Sequence, residues 1–201
     1  MGMRSNGSWL RRASQVAAAV GLFAQGALAQ EDDFARSGGY LGISGTYAVD
    51  ASRVKNLSEN SLGINARVGL RLAPNIAVEG EFEHLDGFDV AVAGTPIGII
   101  ESWVLTGNVK GFLLTGRIQP YFVAGMGVLR AKFVDTGGTL GSLDFPAQTR
   151  DTGFAVRLGG GVDVYVTRHL VVTLGASYVI PTGGVEDLDF LSVAFGAQYR
   201  F

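Results

Sequence analysis

From Ser61 to Leu72 the chain alternates without a break. Leu62, Ile64, Ala66, Val68, Leu70 and Leu72 share one face, and Ser61, Gly63, Asn65, Arg67, Gly69 and Arg71 share the other. Successive side chains of a strand point to opposite faces, so this is a β-strand with one oily and one polar surface. The same writing recurs to the final residue, Phe201. Two architectures satisfy it. One is a soluble barrel with the oily face inward around a ligand, and the other is a membrane barrel with that face outward.

Eight strands are predicted: Tyr40–Val49, Ser61–Leu72, Ile76–His84, Glu101–Leu113, Tyr121–Arg130, Thr152–Val166, Leu170–Ile180 and Leu188–Phe201. Their connections alternate in length. Short turns sit at Ala73-Pro74-Asn75, Leu114–Gln119 and Thr167-Arg168-His169, and longer loops cover Asp50–Asn60, Leu85–Ile100, Ala131–Asp151 and Pro181–Asp187. Short-long alternation around an even number of antiparallel strands marks an outer-membrane barrel. Strands of ~10 residues rising ~3.3 Å each and tilted ~45° cover roughly 23 Å, close to the apolar band of such barrels. Pro74, Pro120 and Pro181 fall at strand ends or turns, where a missing N–H is harmless.

The polar face decides the orientation. It is rich in small residues, among them Gly63, Gly69, Gly125, Gly159, Gly161, Gly175, Gly196 and Ser177. A solvent face has no reason to be built from residues that weaken strands. A narrow eight-stranded interior does. Bulk outward and small polar residues inward put lipid outside. Two aromatic girdles are expected at the interfaces: Tyr40, Tyr121, Tyr199 and Phe201 at the turn side, and Tyr47, Phe82, Trp103, Phe154 and Tyr178 at the loop side.

Residues 1–29 are read as a cleaved signal peptide, leaving residues 30–201 as one barrel domain. Arg4, Arg11 and Arg12 form a basic head, Ala13–Leu28 is apolar, and Ala27-Leu28-Ala29 offers a small-x-small cleavage site. Removing them leaves 13 basic against 18 acidic residues, a formal charge of −5. That balance disfavours nucleic acid as a partner. Cysteine is absent, which rules out disulfides and thiolate metal sites.

The ending, Gly196-Ala197-Gln198-Tyr199-Arg200-Phe201, carries aromatics at the last and third-from-last positions and a glycine five before the end. It resembles the C-terminal assembly signal of bacterial outer-membrane β-barrel proteins, with Gly196, Tyr199 and Phe201 in its defining positions. Ala194 departs from the polar residue usual two before the glycine. Asn108-Val109-Lys110 and Pro120-Tyr121 leading into Gly125-x-Gly127 are similar to small OmpA-like and opacity-type outer-membrane proteins. The resemblance covers residues 38–201. It implies an all-β, eight-stranded, antiparallel up-and-down transmembrane barrel in the outer membrane of a Gram-negative bacterium. Its implied partners are outer-membrane lipids including lipopolysaccharide, the barrel assembly machinery, and a host or surface ligand at the outer loops. No cofactor is implied, and a fold of this kind does not fix an activity.

Arg67, Arg71, Glu79, Glu81, Glu83, Lys110, Arg157, Asp163 and Arg200 are predicted to face inward. A turn centred on Pro74 sets Arg67 opposite Glu81 and Arg71 diagonal to Glu79. These charges form either a salt-bridge network that plugs the bore or an ion path. Unpaired buried charges are costly, so extensive pairing is expected, and Arg67→Ala is expected to change stability more than conductance. Enzymatic signals are thin. The chain has two histidines. His169 lies in a turn; His84 ends a strand near Glu83 and Asp86, and Ser102 is the serine that a lipid hydrolase would need beside it. Gly159-Gly160-Gly161 lies within a strand and is no phosphate loop. Phe88–Ala93 and Ile97–Ile100 are unusually apolar for a loop. They extend strands three and four as a hairpin around Gly94-Thr95-Pro96, or they line a mouth for a hydrophobic ligand. Ala131–Asp151 is read as an adhesin or antigen loop. The expected role is envelope integrity and surface interaction, with a narrow pore or hydrophobic-solute conduit as the alternative.

Overall fold

In a computed structural model, the described residues are 34–50, 60–92, 95–135, 148–185 and 188–201. The predicted signal peptide, residues 51–59 of the first long loop and residues 136–147 of the loop read as an adhesin or antigen lie outside them. Eight strands are present: β1 Gly38–Asp50, β2 Ser61–Ala73, β3 Ile76–Val92, β4 Thr95–Phe112, β5 Ile118–Asp135, β6 Gln148–Tyr165, β7 Leu170–Pro181 and β8 Phe190–Arg200. Each pairs antiparallel with the next, and β8 returns to β1 to close the barrel, with Tyr40 opposite Arg200 and Asp50 opposite Phe190. Closure removes both sheet edges, so every strand finds backbone partners on each side.

The alternation resolves as predicted. Leu62, Ile64, Val68, Leu105, Met126 and Phe195 are exposed on the outer wall, while Arg71, Lys110 and Arg157 are 1–2 % exposed inside. An exterior of bulky apolar residues around a charged interior is a lipid-facing barrel, since in water both faces would be inverted.

Two expectations are corrected and a third is extended. The barrel wall is uneven. Strands β3–β6 run 17 or 18 residues, against 11–13 for β7, β8, β1 and β2. The loop bounds 85–100 therefore give way to the hairpin reading: strands three and four continue, with Phe88 opposite Ile100 and Val92 opposite Thr95, and with register shifts between Leu85 and Phe88 and between Val90 and Ala91. Strand propensity explains it, because Val90, Val92, Ile97, Ile99 and Ile100 are β-branched. Residues 93–94 of this hairpin lie outside the described residues.

Second, Tyr40 and Tyr121 do not join the turn-side girdle. They are 3 % and 7 % exposed and point into the bore. Third, the inner glycines serve a purpose beyond narrowness: they make room for these rings. A Cβ on Gly161 or Gly175 would lie 2.6 Å from the Tyr121 hydroxyl, and one on Gly69 would strike the Tyr40 ring. Tyr199 and Phe201 do stand on the outer wall, edge to face with centroids 5.4 Å apart, and His169 stacks on Tyr199 at 5.9 Å.

Candidate functional site

The bore is filled in four tiers, each assembled from inward positions of many strands. The tier nearest the loops is apolar. Ala48, Leu85, Val104, Leu129, Ala155, Val179 and Phe190 come from seven strands and meet in one buried cluster. Val185, on a short 3-10 turn at Gly183–Val185, joins it from the β7–β8 connection. It lies against Gly153, where any side chain would collide with it.

Below that sits the central ionic tier. Arg157 on β6 crosses the bore to two carboxylates of β3. Its Nη1 lies 3.0 Å from Glu81 Oε1, its Nη2 pairs with Glu83 Oε2, and Nη1 also donates to the Ser177 hydroxyl at 2.9 Å. Glu81 accepts from the side-chain amides of Asn65 and, at 2.7 Å, Asn108. Glu83 accepts from the Ser192 hydroxyl at 2.5 Å. Six strands thus converge on one guanidinium and two carboxylates, the dense hydrogen bonding that buried charge requires.

The third tier mixes charge and aromatic rings. Lys110 Nζ lies 2.8 Å from Asp163 Oδ2 and 3.7 Å from the Tyr121 ring centroid. Gln198 donates to the other oxygen of Asp163 at 3.1 Å, and the Tyr40 hydroxyl donates to Glu79 at 2.7 Å. A cavity of about 20 Å³ remains between Arg67, Glu79, Glu81, Tyr121 and Arg157. That is on the order of one water molecule.

The fourth tier closes the turn end. Arg71 donates to Gln119 Oε1 at 2.7 Å and to the Tyr165 hydroxyl at 3.2 Å, and lies 4.0 Å from the Phe112 ring centroid. Arg200 donates to the same Tyr165 hydroxyl. The segment before β1 folds under the opening: Arg200 donates to the Arg36 carbonyl at 2.8 Å, Ala35 is buried, and the Phe34 ring lies 5.2 Å from that of Tyr165.

All nine predicted inward charges are buried within the barrel. Their partners differ from the predicted ones. Arg67 is opposite Glu81 in the strand register, yet its guanidinium donates to the Ser44 hydroxyl at 2.5 Å, and its Nε has no partner among the described residues. Arg71 turns to the bore mouth rather than to Glu79. The reason is length. The Arg71 guanidinium reaches past its cross-strand neighbour to Gln119 and Tyr165 on the far wall, while Arg67, whose neighbour Glu81 is occupied by Arg157, turns to Ser44 on β1. Sequence reasoning missed Tyr40, Asn65, Asn108, Gln119, Tyr165 and the whole apolar tier, although each sits on the same alternating face as the charges.

The hydrolase alternative finds no geometry. Ser102 is buried on the inner face, whereas His84 is on the outer wall, 40 % exposed and 3.7 Å from Asp86. Among the described residues no group of three or more His, Asp or Glu side chains is placed to hold a metal ion. Gly196 sits where a Cβ would strike the Ile43 carbonyl of β1, and the Phe201 amide donates to the Gly39 carbonyl at 3.0 Å, so the C-terminal motif also secures the β1–β8 seam.

The barrel has counterparts of known structure. Neisserial surface protein A superposes with a TM-score of 0.65 at 15 % identity, covering 82 % of this chain and 98 % of that one. The outer membrane protein OprG of Pseudomonas aeruginosa gives 0.65 at 16 % identity, covering 84 % and 98 %. Ail, the attachment invasion locus protein of Yersinia pestis, solved with the heparin analogue sucrose octasulfate, gives 0.57 at 18 % identity, covering 83 % and 99 %. At these identities the likeness concerns the fold. No curated protein is similar enough in sequence to match. Residues 15–201 match the family described as outer membrane protein beta-barrel domain, and the chain belongs to that family.

Proposed function

We propose that this protein is an integral outer-membrane scaffold of a Gram-negative bacterium, exported by cleavage after residue 29, that contributes to envelope integrity and presents its outer loops to surface ligands. The observation that carries the reading is the four-tier filling of the bore. An ion path needs continuous water, and the residual cavity by Arg157 is about 20 Å³. The heparin analogue bound by Ail supports a surface-ligand role for the loop side. Tyr199 and Phe201, exposed on the outer wall, and Gly196, at the seam, support a role for the C-terminal motif in delivery to the barrel assembly machinery. Among the described residues Ser102 faces the bore and His84 the outer wall, which supports a non-enzymatic reading.

Planar lipid bilayers test the scaffold reading. The full chain is expected to insert without discrete current steps. Reproducible steps whose size changes in an Arg67→Ala variant of unchanged thermal stability would establish the pore instead.

A further inference from the structure

Among the described residues the outer wall carries a mixed-charge cleft on the tall β3–β6 side. It has a volume of about 210 Å³ and is lined by His84, Glu101, Trp103, Arg130 and Lys132, with Ser102 behind them. That is below the ~300 Å³ at which pockets for drug-sized ligands begin. The strand register builds it: His84 is opposite Trp103, Trp103 opposite Arg130, and Glu101 opposite Lys132. Directly opposed residues have Cβ atoms about 5 Å apart, so these groups form one patch.

Height places the patch at the headgroups. Trp103 lies nine residues from Phe112, the turn end of β4. At ~2.3 Å of height per tilted residue that is about 21 Å, the upper edge of a ~25 Å apolar band. Tryptophan settles at that level. Below Trp103 on the same wall are Leu105 and Val109, which are exposed apolar residues. Above it is Glu101.

The charges are poorly spent within the protein. Arg130 and Lys132 are half-buried on the exterior, and among the described residues neither makes a salt bridge or hydrogen bond. Glu101 is exposed beside them and, among the described residues, forms no salt bridge, although Lys132 is its direct neighbour across the strands. Asp86 is engaged at 3.7 Å by His84. Two cations, one free carboxylate and one indole therefore stand side by side at the membrane interface. A purely anionic headgroup would satisfy the cations and be repelled by Glu101. A ligand that carries both signs satisfies all four groups.

We propose that this cleft holds a zwitterionic aminophosphate headgroup, phosphoethanolamine, with the phosphate on Arg130 and Lys132 and the ammonium between Glu101 and the Trp103 ring. Guanidinium and ammonium donors suit phosphate, and an indole face attracts an organic cation. The source is a lipid whose acyl chains lie along the apolar wall below. This site is independent of whether the bore conducts.

The chain has two tryptophans, Trp9 and Trp103. Trp9 lies in the segment proposed to be cleaved, so Trp103 emission reports on the cleft, and Trp9→Phe keeps it so in any uncleaved chain. The full chain in uncharged detergent micelles is titrated with dihexanoyl phosphatidylethanolamine, dihexanoyl phosphatidylglycerol and free phosphoethanolamine. Saturable change is expected with the aminophospholipid, at least tenfold tighter than with the other two. Arg130→Gln/Lys132→Gln is expected to weaken it at least tenfold. Glu101→Gln is expected to invert the preference toward phosphatidylglycerol while heat-modifiable gel migration, the mark of a folded barrel, stays unchanged. No saturable response, equal affinity for the anionic lipid, or a preference that survives Glu101→Gln overturns the proposal. So does a heparin fragment that binds more tightly than either lipid. Free phosphoethanolamine matching the lipid overturns the lipid source. Current steps in a bilayer leave all of these outcomes untouched.

Discussion

The loop-side and central tiers of the bore do the same job with opposite chemistry. Near the loops, Leu129, Val104 and Phe190 exclude water by filling volume. A few residues below, Arg157, Glu81 and Glu83 exclude it by saturating one another. The first tier is held by many weak, interchangeable contacts. The second is held by a few strong bonds that are useful only together, because each partner's charge is tolerable only while the others stand opposite it. Closure by two unlike means resists two unlike failures: a cavity in one tier or a lost charge in the other leaves the remaining tier intact.

The largest expected effect breaks the ionic tier alone. Arg157→Leu strands both carboxylates and should lower unfolding free energy by about 3–5 kcal/mol, read from urea titrations in micelles. Adding Glu81→Gln and Glu83→Gln should recover more than half of that loss, since no orphan charge is left. A triple variant less stable than the single one would mean that the tier is held by packing, and the contrast between the two tiers would disappear.

Leu129→Ala comes next. The side chain is fully buried, and the cost should be about 2–4 kcal/mol. Combined with Arg157→Leu the effects should nearly add, because Leu129 and Arg157 are not themselves cross-strand neighbours, although Val104 and Val179 of the apolar tier stand opposite Glu83 and Arg157. A coupling above about 1 kcal/mol would show that the tiers act as one body.

The smallest effect sharpens the boundary of the polar half. Tyr40→Phe removes the donor to Glu79 but keeps the ring that fills the space left by Gly69. A loss of about 1–2 kcal/mol is expected. A neutral result would mean that Glu79 draws its support from elsewhere in the third tier.

Much of this was legible in the primary structure, for a simple reason. Period-2 alternation fixes which face a residue takes, and it holds within each strand through the span that fills the bore. Hence Arg67, Arg157 and Asp163 could be placed inside from parity alone. Parity says nothing about reach across the bore. That Arg157 meets Glu81 depends on the barrel's radius and stagger, which no local pattern encodes. The register did set Arg67 opposite Glu81, yet the bond formed elsewhere. Tyr40 and Tyr121 were misplaced because an aromatic near a strand end suits a girdle equally well, and only the glycines opposite reveal the socket. The apolar tier went unseen because Val104 and Val179 look like any strand residue until their height along the axis is known.

The Arg200 guanidinium holds the Arg36 carbonyl across 164 positions of chain. Together with the Phe201 amide on the Gly39 carbonyl, it ties the two ends of the described barrel to each other beside the β1–β8 seam, so the closing joint of the wall is fastened by side chain as well as by backbone.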